Sequence, residues 1–225
     1  MVGGMKALIL LLVVFCVGCA SAPQAVPNSP EAVAAIERAI REELEKPTGE
    51  LTKADLEKVT ELNLYDNQLT DVKGLEKLTQ LKELYLYDNK LTSVKGLEKL
   101  TKLTFLELRN NKLTDVKGLE KLNQLTSLYL SGNQLISVKG LEKLNQLTKL
   151  ELQFNQLTDV KGLEKLTQLR ELRLNGNQLS DVKGLENLTQ LKKLELAANP
   201  ALTKAQIDQL QKALPKCKIS SNPKK

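Results

Sequence analysis

Leucines recur along most of the chain in a pattern that repeats every 22 residues. Each unit reads LxxLxLxxNxL, and its polar member forms the column Asn67, Asn89, Asn111, Asn133, Asn155, Asn177 and Asn199. A fixed period of this length predicts a solenoid, in which each unit buries its apolar face only by stacking on its neighbours. Because a solenoid usually acts through one extended surface, the functional question becomes which face binds a partner.

The spacing of apolar residues within one unit predicts a short strand followed by a return path. In the unit 81–102, Leu84 and Leu86 alternate with polar or aromatic neighbours, as expected of a strand that points its leucines inward. Each unit therefore adds one strand to a parallel sheet. The return path must close within about a dozen residues, which favours extended backbone or a short 3₁₀ turn over an α-helix.

Two further columns have structural interpretations. A glycine recurs from Gly74 to Gly184 in one phase, which indicates positive φ or a close approach between successive turns. The inward asparagine amides carry donors and an acceptor that can bind backbone groups left unpaired where the strands end. We therefore expect an asparagine substitution to destabilise the protein rather than to inactivate it selectively.

Helices are predicted on both sides of the repeats. Before them, Ser29 and Pro30 begin a helix, and Thr52 with Asp55 begins a second one. The expected apolar stripe of the first helix is Val33, Ile36, Ile40 and Leu44. An amphipathic segment at 30–58 would cover the first exposed layer of the stack as an N-terminal cap.

The pattern is lost after residue 202, where Thr203 and Gln206 predict a capping box at the start of another helix. Residues 203–225 are therefore expected to form a C-terminal cap and tail after seven repeats at 59–202. Cys217 and Ile219 alternate with lysines and predict a last short strand. Cys217 is interpreted as a small buried hydrophobe rather than a reactive thiol.

These columns resemble the leucine-rich repeat family, over the segment from Leu51 to Leu202. The 22-residue length and the return sequence xLTDVKGLEKLTQL are similar to those of bacterial internalin-like proteins. The resemblance implies an α/β solenoid: a right-handed arc with a concave parallel sheet, short convex return segments and helical caps. It also implies protein recognition as the usual task, without naming the partner.

An export signal is predicted at residues 1–19. The run Ala7–Val17 follows Lys6 and is too short to span a bilayer, but it suits the apolar region of a signal peptide. It ends in CVGC, which resembles the lipobox of bacterial lipoproteins, whose last cysteine carries the lipid. By that resemblance Cys19 is the lipidated residue.

The resemblance implies that a lipid anchor on Cys19 holds the protein to a membrane of the bacterial cell envelope. Ala20 is not the Asp typical of inner-membrane retention, so the outer membrane is favoured. Residues 20–29, rich in Ala, Pro and Ser, are expected to be a flexible tether. The alternative is cleavage near Ala22 and a periplasmic or secreted protein.

Side chains that flank the strand leucines point away from the core, and the aromatic residues concentrate there. With strands about 4.8 Å apart, the strand aromatics should form one patch about 15 Å long. We predict a protein-binding face made of Tyr65, Tyr85, Tyr87, Phe105, Glu107, Arg109, Tyr129 and, one step further out, Phe154. Clusters of Tyr and Arg are typical of interface hot spots, although cross-strand aromatics can also simply stabilise a sheet.

Composition argues against catalysis. The chain contains no histidine, which excludes Ser/His and Cys/His nucleophile pairs and removes the commonest metal ligand, so we expect no enzyme activity, cofactor or metal. The formal charge of +6 is weak evidence for a nucleic-acid partner, because the lysines lie mainly beside glutamates in KGLEK segments and in the C-terminal tail. We interpret the Lys and Glu of the KGLEK segments as solvated spacers. We therefore expect a non-catalytic envelope protein that binds another protein, or a glycan. The alternative is a spacer without a high-affinity ligand.

Overall fold

The computed structural model describes residues 28–222, so the predicted signal peptide and Cys19 lie outside the described residues. The helices are α1 (Pro30–Glu43), α2 (Lys53–Leu56) and α3 (Lys204–Ala213). The strands are β1 (Glu61–Asn63), β2 (Glu83–Tyr85), β3 (Phe105–Glu107), β4 (Ser127–Tyr129), β5 (Lys149–Glu151), β6 (Glu171–Arg173), β7 (Lys193–Glu195) and β8 (Lys218–Ser220). The strands outnumber the helices because each repeat supplies one strand.

All eight strands form one parallel sheet in sequence order from β1 to β8. Successive strands pair in register, so that Leu62 lies opposite Leu84 and Leu84 opposite Leu106. The last pair joins Leu194 to Ile219, because α3 is inserted between β7 and β8. The predicted leucine-rich repeat solenoid, with the sheet on the concave side, is confirmed.

The core is a continuous stack of aliphatic side chains. Leu62 and Leu64 and their equivalents in the later repeats are almost wholly excluded from solvent. Ile36 and Ile40 of α1 cover one end of this stack, and Leu210 and Leu214 cover the other. At about 25 cal/mol per Å² of apolar surface removed from water, stacking is the main source of stability.

The return segments contain short 3₁₀ turns, as predicted. Three of these turns are regular 3₁₀ helices, at Leu75–Lys77, Leu97–Lys99 and Leu185–Asn187. The preceding glycine has φ of 100° at Gly74 and 117° at Gly96, which confirms the predicted positive φ. This backbone disfavours any residue with a Cβ.

The glutamates of the KGLEK segments, and of KGLEN in the last of them, are not solvated spacers, so the interpretation is wrong for them, although the lysines are exposed. In each of six repeats, the glutamate Oε2 accepts a hydrogen bond from the glycine N–H two residues earlier at 2.5–2.7 Å. The backbone N–H groups of Glu98 and Gly96 lower the pKa of Glu98. These carboxylates therefore hold the glycine turn in place.

The asparagine column binds neighbouring repeats together, as predicted. Asn133 Nδ2 donates to the carbonyl oxygens of Leu108 at 3.0 Å and Leu130 at 3.1 Å. Its Oδ1 accepts from the backbone N–H of Leu113 at 3.0 Å. One amide thus joins two successive turns of the solenoid where the strands end.

The N-terminal cap differs from prediction in two details. Val33, expected in the apolar stripe, is 54% exposed, and the buried face of α1 uses Ala32 and Ala35 with Ile36 and Ile40. Asn28, expected in the flexible tether, accepts hydrogen bonds through its Oδ1 from Thr70 N at 2.8 Å and Asp71 N at 3.1 Å. Asn28 therefore completes backbone hydrogen bonding at the first repeat.

The C-terminal cap follows the prediction. Thr203 and Gln206 form the capping box of α3. Cys217 is 4% exposed, and burial raises the pKa of its thiol, as expected of a hydrophobe rather than a nucleophile. Asn222 then donates from Nδ2 to the carbonyl of Asn199 at 2.8 Å, which closes the last turn.

Candidate protein-binding face

The concave face carries three columns of side chains that point away from the leucine core. Across the first column, Glu83 lies opposite Phe105, and Phe105 lies opposite Ser127. Across the middle column, Tyr85, Glu107 and Tyr129 lie side by side. The regular register of the sheet therefore brings residues 22 positions apart into direct contact.

Phe105 joins two tyrosines from the neighbouring repeats. Its ring centroid lies 5.0 Å from that of Tyr85, with 39° between the planes, and 5.1 Å from that of Tyr129, with 42° between them. These are tilted contacts within the favourable range for aromatic pairs. We call Tyr85, Phe105 and Tyr129 the Phe105 cluster.

Tyr65 and Tyr87 form a second group. Their rings stack with centroids 5.0 Å apart and planes 11° apart, and Tyr65 remains 50% exposed. Within residues 28–222, no ring contact joins this Tyr65–Tyr87 stack to the Phe105 cluster. The single patch predicted from strand spacing is therefore two neighbouring groups, because rotamers as well as strand positions decide which rings meet.

Glu107 lies between Tyr85 and Tyr129 in the middle column and is 3% exposed. Arg109 pairs with it through Nη2 at 2.8 Å and Nε at 2.9 Å. Burial raises the pKa of Glu107, and the hydrogen bonds from Arg109 oppose this rise. The structure thus brings Glu107 and Arg109 together beside Tyr129, whereas the sequence predicted only that they border the aromatic patch.

Cationic side chains lie over the Tyr129 ring. The Arg109 Cζ is 5.7 Å from the ring centroid, and the Lys149 Nζ is 5.0 Å from it. Both distances fit cation–π attraction. Tyr129 therefore marks the boundary between the aromatic part of the face and its charged part.

Tyr85 is held by a carboxylate of its own strand. Its hydroxyl donates to Glu83 Oε2 at 2.8 Å. This hydrogen bond, together with burial and the charges of Glu83, Glu61 and Glu107, raises the pKa of Tyr85 to about 12. The phenol is consequently neutral at physiological pH.

The C-terminal half of the concave face carries a network of ion pairs. The sequence predicts that these side chains lie on this face, but it does not predict which of them pair. Arg173 lies 2.8 Å from Glu171 and 3.5 Å from Glu151, and Lys193 lies 2.6 Å from Glu195. The signal for it was the alternation of charge sign at 22-residue spacing. The ion-pair network consists of Lys149, Glu151, Glu171, Arg173, Lys193 and Glu195.

Phe154 lies apart from the other aromatic residues. It sits in a turn after β5 with φ of 58° and is 64% exposed. In the described part of the chain its ring contacts no other aromatic ring, and it lies against Gly176 of the next repeat, where a Cβ would come within 2.6 Å of it. The structure therefore places Phe154 at the rim, away from the Phe105 cluster.

The described residues offer no obvious metal site or membrane span. Among residues 28–222, no group of three or more Cys, Asp or Glu side chains is arranged to hold a metal ion. In the same region, no helix is long and apolar enough to cross a bilayer.

Comparison with known proteins decides the family. The family model "Leucine Rich repeats (2 copies)" matches overlapping segments that together run from residue 57 to residue 212. The chain belongs to the leucine-rich repeat family. No curated protein matches this leucine-rich repeat chain.

Three solved structures resemble this leucine-rich repeat protein. An internalin from Listeria monocytogenes, inlF, is 29% identical with a TM-score of 0.77, covering 84% of this chain and 55% of the internalin. Internalin C2 from the same organism is 28% identical with a TM-score of 0.72, covering 83% and 92%. A leucine-rich repeat protein of Leptospira interrogans is 30% identical with a TM-score of 0.63, covering 75% and 51%. The chain thus spans about half the length of two of these relatives.

Proposed function

We propose that this leucine-rich repeat protein is a non-catalytic module that binds a protein partner through its concave face, centred on the Phe105 cluster. The family and the internalin-like fold support protein binding as the general task. Large aromatic side chains at the centre of a surface are typical of interface hot spots.

The observation that carries this proposal is the separation of aromatic residues from the core. The core cluster is aliphatic, and every tyrosine of the chain lies instead in the concave columns of β1 to β4. Folding does not require rings at these positions, because the equivalent positions of β5 to β7 carry the ion-pair network. A binding surface explains why the rings are confined to one half of the face.

The competing proposal is a spacer without a high-affinity ligand. It is favoured by the contacts of the rings with one another, since such cross-strand pairs also stabilise a sheet without any partner. The two proposals differ in what happens when the rings are removed.

To test the binding site, the full chain and the Tyr85→Ala/Phe105→Ala/Tyr129→Ala variant are compared in affinity capture from envelope extracts. We expect the captured partner to be lost, because hot-spot truncations commonly cost about 2 kcal/mol or more each. Protease treatment of the extract distinguishes a protein ligand from a glycan.

The matched control is a variant with three changes on the other face, Lys95→Ala/Lys117→Ala/Lys139→Ala, which leaves the leucine core intact. This control should capture the partner normally, and both variants should show a cooperative unfolding transition. Equal capture by the aromatic variant and the parent protein would contradict the proposed site, whereas no capture by the parent protein would support the spacer.

We also propose that the face is displayed in the bacterial envelope by a lipid on Cys19, most simply at the outer membrane. The lipobox-like sequence CVGC supports this proposal. Labelling cells with an alkyne-bearing fatty acid should tag the protein, and Cys19→Ala should abolish the tag. Labelling that survives in Cys19→Ala would rule out this anchor, and a secreted protein without label would favour the alternative cleavage near Ala22.

A further inference from the structure

The N-terminal end of the concave face carries carboxylates that are not neutralised by ion pairs. Within residues 28–222, none of Glu43, Glu61, Asp66, Glu83 and Asp88 forms a salt bridge. Burial and the neighbouring charge of Glu61 raise the pKa of Glu43, which indicates that Glu43 and Glu61 repel one another. We call these five residues the acidic rim.

In the C-terminal half of the face, the charged side chains form ion pairs with one another. Arg173 is shared between Glu151, Glu171 and Glu195, at 3.5, 2.8 and 3.8 Å respectively. Lys193 likewise lies within 4 Å of both Glu171 and Glu195, at 3.7 and 2.6 Å. Unbalanced charge on the concave face is therefore concentrated where the Tyr65–Tyr87 stack and Tyr85 lie.

One arginine of the chain shows how a cation binds to this kind of surface. Arg109 pairs with Glu107 at 2.8 Å while its guanidinium lies 5.7 Å from the centroid of the Tyr129 ring. In the first two repeats, Glu83 accepts a hydrogen bond from the Tyr85 hydroxyl, and the positions equivalent to Arg109 are occupied by Tyr65 and Tyr87. Repeats one and two thus provide the acceptor and the ring without an arginine of their own.

We propose that the partner of the concave face is a basic protein segment whose arginine side chains bind between the acidic rim and the Tyr65–Tyr87 stack. The proposal rests on the proposed function and specifies its ligand. Arginine fits because its planar guanidinium pairs with carboxylates in a bidentate manner and stacks on aromatic faces. Charge complementarity of this kind mainly raises the association rate and the specificity.

The test uses a phage-displayed library of random peptides selected on the immobilised full chain. We expect the selected peptides to be enriched in arginine relative to the unselected library. Binding of the best peptide should weaken by about 3- to 10-fold in Glu61→Gln/Glu83→Gln, since exposed charge pairs each contribute a few tenths to about 1 kcal/mol. It should also weaken as ionic strength rises.

Glutamine at position 83 can still accept the Tyr85 hydroxyl, so this variant should keep its fold. The matched control is Glu142→Gln/Glu164→Gln, which removes the same charge from the convex side while its amide oxygens still accept from Gly140 and Gly162. We expect this control to bind the peptide with unchanged affinity. Unfolding transitions of both variants should match that of the parent protein.

The outcomes separate the two proposals. Selected peptides that require Tyr85 and Phe105 but lack arginine, or that bind Glu61→Gln/Glu83→Gln unchanged, would overturn the basic partner and leave the aromatic site standing. Failure to select any peptide that depends on Tyr85 and Phe105 would count against the proposed function and the basic partner together.

Discussion

At the scale of single residues, the inward asparagines and the concave side chains have different roles. Each internal asparagine amide replaces backbone partners that a turning chain cannot provide, so its contribution is to stability. Glu107 accepts one hydrogen bond from the Arg109 N–H, and within residues 28–222 no ring of the Phe105 cluster hydrogen-bonds to the backbone. Substitutions in the two sets should therefore have separable effects.

Asn133→Ala should lower the free energy of unfolding by about 2–4 kcal/mol, because it leaves buried backbone groups without partners. Urea unfolding followed by circular dichroism measures this change. Asn67→Ala is the matched control, since Asn67 is only partly buried and its side chain donates just to Tyr65 O at 2.8 Å. Equal losses in the two variants would show that the hydrogen bonds across repeats are not the cause.

Glu107→Gln should stabilise the protein more at about pH 7 than at about pH 3. A carboxyl whose pKa is raised in the folded state binds its proton more tightly there, so its ionisation opposes folding as pH rises through and above about 4.3. The variant removes that opposition, while below this range both proteins carry a neutral side chain. Unfolding free energies at the two pH values test this, and a difference of the opposite sign would refute burial as the dominant influence.

At the scale of elements, each return segment depends on a glycine turn fastened by a glutamate. The glycine adopts positive φ, and the glutamate two residues later accepts its N–H. The motif repeats because both residues repeat, but the space around the glycine differs between repeats. This difference allows strain and packing to be measured separately.

Gly74→Ala and Gly118→Ala should differ in cost although φ is 100° and 103° at the two positions. A Cβ at Gly74 meets nothing within 4 Å, so only strain of about 1 kcal/mol is expected. A Cβ at Gly118 would lie 2.6 Å from the Val94 carbonyl oxygen, so that variant should lose at least about 1 kcal/mol more. Thermal and urea unfolding check this order, and equal losses would contradict it.

At the scale of the whole molecule, the repeat period made most of the fold predictable. A 22-residue period with alternating leucines determines strand order, register and core together, because every repeat must adopt the same conformation and pack on its neighbours in the same way. The caps were predictable where a local motif exists, as at Thr203 and Gln206. Val33 was misplaced because two alanines of α1, Ala32 and Ala35, form part of the buried face beside Ile36 and Ile40, and the predicted stripe counted larger apolar residues alone.

The concave face was predictable as a set of positions but not as a set of contacts. Column membership follows from the strand period, so Tyr85, Phe105 and Tyr129 were placed correctly on one surface. Whether rings stack, and which carboxylate an arginine chooses, depends on rotamers that the period does not determine. Phe154 is a further example, because it lies beyond the end of β5 in a turn with positive φ, which places its side chain at the rim.

The central claim is that the concave aromatic face contacts a protein partner, and in-cell photo-crosslinking tests it most directly. A photoreactive phenylalanine analogue is placed at Phe105 or, as control, at Ile136, a return-segment residue that is 64% exposed. Illumination should yield a discrete heavier adduct from position 105 and none from position 136. An adduct from position 136 alone, or none from position 105, would contradict the claim.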